Sequence, residues 1–583
     1  MVAPGRNGVE DSPSASSSSS HMVTNHVSSS LAASTAGGPT SSPLRSLSSA
    51  SGGLYVSAPG KIILFGEHAV VYGRTAIAGS IDLRTYVSLF TSADGRIYLS
   101  LPDLCVEKTW MLKDLLKTIA LNPDLSTDVP NDDSPPSLEL IVPIARKLSG
   151  SSEDSSGVQH LAILAFWYLL IGVVQRKRFR DQQNGDGDGT TTDGSDPPTN
   201  NGNTSQLEDP ITKSVFWDLL AVKVTVRFKL PPCVGLGSSG AFCVCITTAL
   251  LQTAGLIPPP SIPADEEGSL TWDDAHLDMI RKWSAAAESL IHGRASGLDA
   301  AVCTYGGVAS YKPGRPIENL RNIPNLKVIL VNSKVERNTT RMVQTVKERM
   351  KRSPFIVENI LNTIDSISQE VASILQKADE NGGVVENGGR SATLTPAFMT
   401  EMDHTNLQPV SVGGRSSSLS SYVAGGKRGS TASALSGISG GDARSSERNE
   451  FNETFAHLND LCRMNNSMLV ALGVGHPKVD QICTLLARYG IHPKMTGAGG
   501  GGSVFAFLKP DTPSTIIGMI KDELAKLEYD MWQPQLGGPG VMLHPNKPEV
   551  FIAADRIHAG PVSSRSTTPA GSHQSTPAVR HKK

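Results

Sequence analysis

Residues 230–241 read LPPCVGLGSSGA, and this stretch joins two segments of opposite character. Before it, AVKVTVRFKL (221–230) alternates apolar and polar side chains, which predicts a half-buried strand. After it, AFCVCITTALL (241–251) is largely apolar, which predicts a buried helix. Small residues at this strand-to-helix turn let the backbone approach a ligand closely, and the free N–H groups at a helix start favour a phosphate.

Two interpretations of this turn stay open from the stretch alone. In the first, it cradles a phosphate, and a serine hydroxyl reaches a phosphate-bound Mg²⁺. In the second, it is a tight turn whose serine caps the helix. The Walker pattern GxxxxGK(S/T) is not found in the sequence, so the turn does not predict a P-loop enzyme.

A second motif lies upstream, where residues 56–73 read VSAPGKIILFGEHAVVYG. Lys61 follows a proline–glycine turn and precedes an apolar run, and Glu67 and His68 follow a second turn glycine, Gly66. A lysine held there can neutralise charge on a phosphoryl group or lower the pKa of a hydroxyl. The alternative is an ordinary surface lysine at the start of a strand.

A third glycine-rich motif, KMTGAGGGGSVFAFL, covers residues 494–508. Gly497, Gly499 and Gly500 belong to it and precede an apolar strand. Ordering such a run costs much conformational entropy, and close approach of the backbone to another group is one reason to keep it. The alternative is a flexible loop.

An acidic pair occurs in residues 288–307, ESLIHGRASGLDAAVCTYGG. Glu288 and Asp299 can have separate roles. One can bind Mg²⁺, and the other can orient a hydroxyl or accept its proton. Alternatively, Asp299 completes a capping box with Ser296, and Glu288 lies on a solvated helix face. Phosphoryl transfer needs a phosphate cradle, a metal ligand, a cation and a group that orients the nucleophile, and the four motifs together offer a candidate for each.

The remaining periodic segments mix helices and strands, which predicts an α/β or α+β protein. Strands are predicted at 326–331 and 503–508, and helices at 277–292, 451–461 and 479–489. The first of these helices ends at Gly293 and the last at Gly490.

The composition indicates fewer domains than the 583 residues allow. Charged residues make up 19% of the chain, against a usual value of about 25%. Four segments rich in Ser, Gly and other polar residues are predicted to be disordered, which leaves about 410 residues for the folded part. These segments are 1–53, 181–205, 381–449 and 559–583.

Several classes of protein are disfavoured. The 53 basic and 55 acidic side chains give a net charge of −2, which weakens the case for nucleic-acid binding. The apolar run 161–174 has 14 residues, too few to span a bilayer, and is predicted to be a buried core helix. The start of the chain lacks the apolar stretch of a secretory signal, and the seven scattered cysteines form no CxxC pair, so we expect a cytoplasmic protein with no membrane partner.

These motifs resemble the GHMP kinase superfamily and, within it, the mevalonate kinase family. Residues 56–73, 230–241 and 494–503 resemble its three motifs, and the run GEHAVVYG is typical of mevalonate kinases. IHGRASGLDAAV (291–302), NSKVERNTTRMV (332–343) and ALGVGHPKVDQIC (471–483) also resemble that family.

The resemblance implies a two-domain α+β fold with the active site between a domain at 54–319 and another at 320–558. It implies ATP-dependent phosphorylation of the 5-hydroxyl of (R)-mevalonate with Mg²⁺, an early step of isoprenoid and sterol synthesis. Members of the family are commonly homodimers inhibited by prenyl diphosphates, so both properties are expectations for this chain.

The resemblance also implies roles for individual residues. Asp299 would be the catalytic base, with Lys61 stabilising the transferred charge and lowering the pKa of the hydroxyl, and Ser239 and Glu288 would bind Mg²⁺. The mevalonate site would include Lys61, Glu67, His68 and Thr339. The ATP phosphates would lie on Cys233, Val234, Gly235, Leu236, Gly237, Ser238 and Ser239.

The sequence departs from the family pattern at four positions. Cys233 stands where many relatives have Gly, and Gly240 replaces a common Ala. Asp103 and Phe228 stand where relatives can carry polar nucleotide contacts. Two alternatives to the leading function are another superfamily member, such as a phosphomevalonate kinase, and an inactive sensor with the same fold.

Overall fold

The computed structural model describes residues 53–126, 128–150, 157–185, 221–229, 234–293, 295–320, 326–377, 442–509 and 511–552. Cys233, the predicted C-terminal tail and almost all of the predicted N-terminal extension and inserts lie outside these residues.

Fourteen strands occur in the described residues. They are β1 (Leu54–Phe65), β2 (Ala76–Thr91), β3 (Arg96–Leu101), β4 (Val106–Met111), β5 (Val222–Phe228), β6 (Ile262–Pro263), β7 (Leu270–Thr271), β8 (Val308–Tyr311), β9 (Glu318–Leu320), β10 (Lys327–Asn332), β11 (Lys494–Met495), β12 (Ser503–Leu508), β13 (Asp530–Trp532) and β14 (Met542–Leu543).

The helices of the same residues include three short 3-10 turns at Ala69–Tyr72, Pro102–Leu104 and Pro123–Ser126. The α-helices are α1 (Leu112–Ala120), α2 (Leu138–Ser149), α3 (Val158–Gly185), α4 (Ser238–Thr253), α5 (Asp274–His292), α6 (Leu298–Tyr305), α7 (Thr339–Arg352), α8 (Pro354–Lys377), α9 (Asp442–Ala471), α10 (Pro477–Ala487) and α11 (Ser514–Lys526).

The strands form two mainly antiparallel sheets, and this confirms the α+β class. The larger sheet has ten strands in the order β4-β3-β5-β2-β1-β14-β7-β6, with β8 and β9 joined at β2. The only parallel pair in these described sheets is β3 with β5. The smaller sheet has the order β11-β12-β10-β13. The predicted domain boundary near 320 falls between β9 and β10, where the chain passes from one sheet to the other.

The predicted elements are present, with shifted ends. The strand at 503–508 and the end of a helix before Gly293 are confirmed. Helix α3 continues to Gly185 and helix α9 begins at Asp442, so both enter segments predicted to be disordered. Polar residues add a hydrogen bond each to a helix that is already nucleated, so the helices extend beyond their apolar stretches.

The apolar run 161–174 lies inside α3, which packs against α2, α4 and α5 in the main core. Among the described helices, this one is long and apolar enough to cross a bilayer by length and composition. However, 78% of its most apolar window is buried inside the protein, including the fully buried Trp167 and Tyr168. The interpretation as a core helix is therefore confirmed.

The C-terminal end of the described chain returns to the larger sheet, where β14 pairs with β1. Arg84 on β2 is 5% exposed and fixes the segment before β14 by donating to the carbonyls of Pro539 and Gly540. It also donates to the hydroxyl of Ser57 on β1. His544 lies beside it, with Nε2 2.7 Å from the same Ser57 hydroxyl. The last strand of the described chain is thus fixed by a buried polar network.

We expect this network to make the protein acid-sensitive. Burial, with the nearby Arg84 charge, lowers the pKa of His544 from about 6.5 to about 4. The folded state therefore disfavours the protonated form, and stability present above pH 6.5 is lost as pH falls towards 4, by up to about 3 kcal/mol. Urea unfolding at pH 7 and pH 4.5 should show a smaller loss in His544→Gln than in the wild type, and an equal loss would contradict the assignment.

Candidate active site

A cavity of about 480 Å³ brings the predicted motifs together. Its lining includes residues of β1 and the turn after it, the start of α4, the end of α5, the start of α6 and the segments before α7 and β12. Side chains that are far apart in the sequence therefore face one space.

Lys61 and Asp299 form an ion pair in this cavity, with Nζ 2.7 Å from Oδ1. Lys61 lies in the middle of β1 and is 5% exposed, so the interpretation as a surface lysine is wrong. Asp299 is in the first turn of α6, whose N-cap is Gly297, and the carboxylate contacts Lys61. The capping-box interpretation is wrong as well, because the Ser296 hydroxyl accepts from the Leu298 N–H, the N-cap is Gly297, and the Asp299 carboxylate is paired with Lys61.

Ser239 and Glu288 form a second polar pair. The hydroxyl of Ser239 donates to Oε1 of Glu288 over 3.0 Å, and it also lies 3.0 Å from Nε2 of His292. Glu288 is 2% exposed, which contradicts the interpretation as a solvated helix face. Burial, followed by the Asp299 charge, raises the pKa of Glu288 to about 8. Partial burial also lowers the pKa of His292, which lies at the exposed end of α5.

The Glu288 site fits a divalent cation. Its Oε2 atom is buried and has no hydrogen-bond partner among the described residues. A buried carboxylate oxygen without a partner is unfavourable, and a cation that binds it removes the cost. Mg²⁺ is commonly held by one or two protein oxygens together with phosphates and water, so Glu288 and Ser239 supply a suitable donor set.

The glycine-rich turn before α4 needs its glycines. Gly235 and Gly237 have φ values of +83° and +73°, and Gly237 is the N-cap of α4. No serine side chain caps this helix, so the capping interpretation is wrong and the Ser239 hydroxyl is engaged with Glu288 instead. The Lys61 N–H donates to the Leu236 carbonyl over 2.7 Å, which holds the turn against β1.

We expect Gly237→Ala to impair both stability and turnover. The added Cβ would lie 2.9 Å from the Lys61 Cβ at a positive φ, which costs about 1–3 kcal/mol in conformational strain. Displacement of Lys61 should lower kcat by at least about 10-fold. Thermal unfolding and steady-state kinetics test this. Gly518→Ala in α11 is the control, because a Cβ there meets no atom within 4 Å, and equal effects in the two variants would contradict the prediction.

Arg337 is a site residue that the sequence reasoning missed. Its guanidinium lies between the first and third glycine motifs, because a Cβ on Gly235 or Gly497 would overlap its Nη1 atom. Nη1 is buried without a hydrogen-bond partner among the described residues, and burial lowers the pKa of Arg337. A buried guanidinium nitrogen without an acceptor points to an anionic ligand. Arg337 lies in the stretch 332–343 that resembles the family, but no local pattern distinguishes it from its neighbours.

His68 and Thr339, which are expected near the substrate, both line the cavity. His68 has a φ of +60°, which is unusual for a residue with a side chain. Its Nε2 lies 2.8 Å from the Ala498 carbonyl, and burial lowers its pKa, so the neutral ring donates Nε2–H to this oxygen. Thr339 begins α7, next to the N-cap Asn338.

Glu67 lines the cavity, but its carboxylate is already bound by protein groups. Lys494 forms a fully buried ion pair with Oε1, and Asn465 donates to Oε2 over 3.2 Å. Burial raises the pKa of Glu67, and the Lys494 charge opposes that shift. The Glu67 carboxylate therefore links the motif at 56–73 to the third glycine motif at 494–508.

The third glycine motif is packed, so the flexible-loop interpretation is wrong. Gly497 lines the cavity, whereas Gly499 and Gly500 lie behind it against Val474 and Met342. The Gly500 N–H donates to the Val474 carbonyl over 2.7 Å. The two inner glycines thus support the cavity wall and do not face the cavity.

The other end of the cavity is apolar, and Phe228 is part of its wall. The wall also includes Leu104, Val158, Leu161, Ala162, Phe242 and Ile291. Asp103 is not free to contact a ligand there, because its Oδ2 accepts from the Phe228 N–H over 2.9 Å and its Oδ1 lies 3.5 Å from Arg227. An apolar slot beside a cationic end suits a ligand with a flat ring and a phosphate chain.

Comparisons with known proteins give the same family in both halves of the chain. The GHMP kinases N terminal domain matches residues 211–307, and the GHMP kinases C terminal family matches residues 449–526. The mevalonate kinase of Bos taurus is 31% identical over 493 residues, covering 84% of this chain and 95% of that protein. The mevalonate kinase of Homo sapiens is 30% identical over 491 residues, which cover 84% of this chain and 95% of that protein.

Among solved structures, the mevalonate kinase of Methanococcus jannaschii is similar at a TM-score of 0.46 and 18% identity, covering 83% of this chain and 98% of that one. The match to the N terminal domain includes Ser239, Glu288 and Asp299, and the match to the C terminal family includes Gly497. With relatives at 30% identity and above aligned along 84% of its length, this chain belongs to the mevalonate kinase family of the GHMP kinases.

Proposed function

We propose that the protein transfers the γ-phosphoryl group of ATP to the 5-hydroxyl of (R)-mevalonate, giving (R)-5-phosphomevalonate and ADP. The family relationship supports this reaction. The observation that carries it is the juxtaposition, in one cavity, of the Lys61–Asp299 pair with the Ser239–Glu288 pair.

Asp299 and Lys61 act on the hydroxyl in this proposal. Asp299 orients the hydroxyl and accepts its proton as the oxygen attacks the γ-phosphorus and the bond to the β-phosphate oxygen breaks. Lys61, 2.7 Å from that carboxylate, is near enough to stabilise negative charge on the attacking oxygen and on the transferred group. Its burial strengthens this effect, because water screens the charge less.

The phosphate chain is bound by the glycine-rich turn, by a cation held on Ser239 and Glu288, and by Arg337. Ser238 and Ser239, the first residues of α4, line the cavity, and the free N–H groups at a helix start favour a phosphate. Ser239 and Glu288 would hold Mg²⁺, which neutralises charge on the β- and γ-phosphates when it is bound. Arg337 donates to the transferred phosphoryl group through Nη1, which is buried and has no partner in the described part of the chain.

The substrate lies at the end of the cavity formed by His68 and Thr339, beside Lys61. Glu67 contributes by holding Lys494, and therefore the third motif, in place rather than by direct contact.

The proposal also includes three properties beyond the reaction itself: the protein forms a homodimer, prenyl diphosphates inhibit it at the ATP site, and it is located in the cytoplasm. Two domains meeting at 320 are part of the same proposal, and the passage between the two sheets at that point supports it.

A substrate profile tests the proposed function. ADP release is measured with mevalonate, phosphomevalonate and galactose as separate acceptors, each with and without Mg²⁺. We expect kcat/KM for mevalonate to exceed the other two by at least about 100-fold, because a site built for one set of polar groups rejects molecules that leave them unpaired. Turnover of phosphomevalonate alone would favour the phosphomevalonate kinase alternative, and no turnover with any acceptor would favour the inactive sensor.

A further inference from the structure

The Ser239 hydroxyl has a second side-chain partner that the proposed reaction does not use. His292 and Glu288 are four residues apart on α5, so they lie on the same face of that helix. Both reach the hydroxyl, with Glu288 Oε1 and His292 Nε2 each 3.0 Å from Oγ. His292 is otherwise exposed at the rim of the cavity.

The number of hydrogens fixes the direction of each bond. A serine hydroxyl has one hydrogen and two lone pairs, and an ionised carboxylate only accepts. In the state that binds a cation, the hydroxyl therefore donates to Glu288, and His292 donates from Nε2–H into one lone pair. The second lone pair is then directed away from both partners, and the hydroxyl is no longer free to rotate.

We propose that His292 is a positioning residue that orients the Ser239 hydroxyl toward a phosphate-bound divalent cation. The inference rests on the proposed role of Ser239 as a metal ligand. His292 itself contacts neither the cation nor the reacting atoms and acts only through Ser239. Groups that orient a metal ligand in this way typically change metal affinity by about 10–100-fold when they are removed.

The test measures metal binding directly. Mn²⁺ is titrated into the full-length protein with saturating ADP, and free Mn²⁺ is followed by electron paramagnetic resonance. We expect His292→Leu to raise the Mn²⁺ Kd by about 10-fold. His292→Gln, which keeps an N–H donor at a similar reach, should stay within about 3-fold of the wild type. His276→Leu on the same helix is the control, because His276 contacts Asp273 at the other end of α5.

A double variant separates an effect through Ser239 from a direct one. If His292 acts through Ser239, then Ser239→Ala with His292→Leu binds Mn²⁺ no more weakly than Ser239→Ala alone. Additive losses would overturn the inference, as would an unchanged Kd in His292→Leu while Ser239→Ala is impaired. An unchanged Kd in Ser239→Ala would instead remove the proposed metal role itself. Thermal unfolding of each variant identifies losses that come from misfolding.

Discussion

Asp299→Asn is expected to reduce kcat by at least about 1,000-fold while nucleotide binding survives. Asparagine has nearly the same shape as aspartate, but it cannot accept a proton and carries no charge for Lys61. The Lys61 Nζ, 2.7 Å from the carboxylate, would keep its position near an uncharged partner. Steady-state kinetics give kcat, and calorimetric titration with ADP gives a Kd that should change by less than about 3-fold.

Asp274→Asn is a matched control for that variant. Asp274 is also an aspartate in the first turn of a helix, α5, but it is exposed and is not part of the cavity lining. Loss of its favourable interaction with the helix dipole costs no more than about 1 kcal/mol. Near-normal turnover in Asp299→Asn would reject the catalytic role, whereas loss of ADP binding would show that the substitution disturbs the whole site.

Lys61→Met is expected to lower kcat by about 100–1,000-fold, the range seen when a group that stabilises transition-state charge is removed. Methionine fills most of the space of the lysine stem, so the packing around β1 is kept. The Asp299 carboxylate, whose side chain is 26% exposed, loses its cationic partner. The KM for ATP should change much less than kcat, because the lysine acts on charge that develops in the transition state.

Lys223→Met provides the comparison for Lys61→Met. Lys223 lies on β5 of the same sheet and is exposed, so its substitution tests the effect of removing a positive charge from the sheet in general. We expect its kcat to stay within about 2-fold of the wild type, since surface substitutions of this kind change little. A kcat for Lys61→Met in that same range would show that the ion pair is structural and not catalytic.

Local sequence patterns predicted most of the elements, because each pattern depends on neighbours along the chain. Strand β12 and the end of α5 at Gly293 were predicted from side-chain alternation, helical spacing and a helix-ending glycine. The four motifs were also visible locally, since glycine-rich stretches and a lysine after a proline–glycine pair need only adjacent residues. The turn predicted at Pro59 and Gly60 is wrong, because both residues lie within β1, at an irregularity in its pairing with β2. The local patterns did not decide what each motif does, because every motif allowed an ordinary structural interpretation.

The tertiary structure decided between those interpretations. Gly237 occupies the N-cap position of α4 that the alternative interpretation gave to a serine, and Asp299 forms an ion pair with Lys61 in place of a capping box with Ser296. Both alternatives were reasonable locally, and both failed because the deciding partner lies far away in the chain. Glu67, which is expected at the substrate site, lines the cavity, and its carboxylate is held in a buried ion pair by Lys494, 427 residues later.

Arg337 and His292 show most clearly which functional residues a local sequence pattern does not predict. Neither belongs to a pattern that singles it out, and each gains its meaning from contacts with Gly235, Gly497 or Ser239. The sequence by itself predicted the class of fold through local patterns and the family through motifs that resemble those of known members, and it supplied candidate residues for phosphoryl transfer. Only the tertiary structure decided which polar groups are buried, paired or left without a partner, because burial and pairing arise when distant segments pack together.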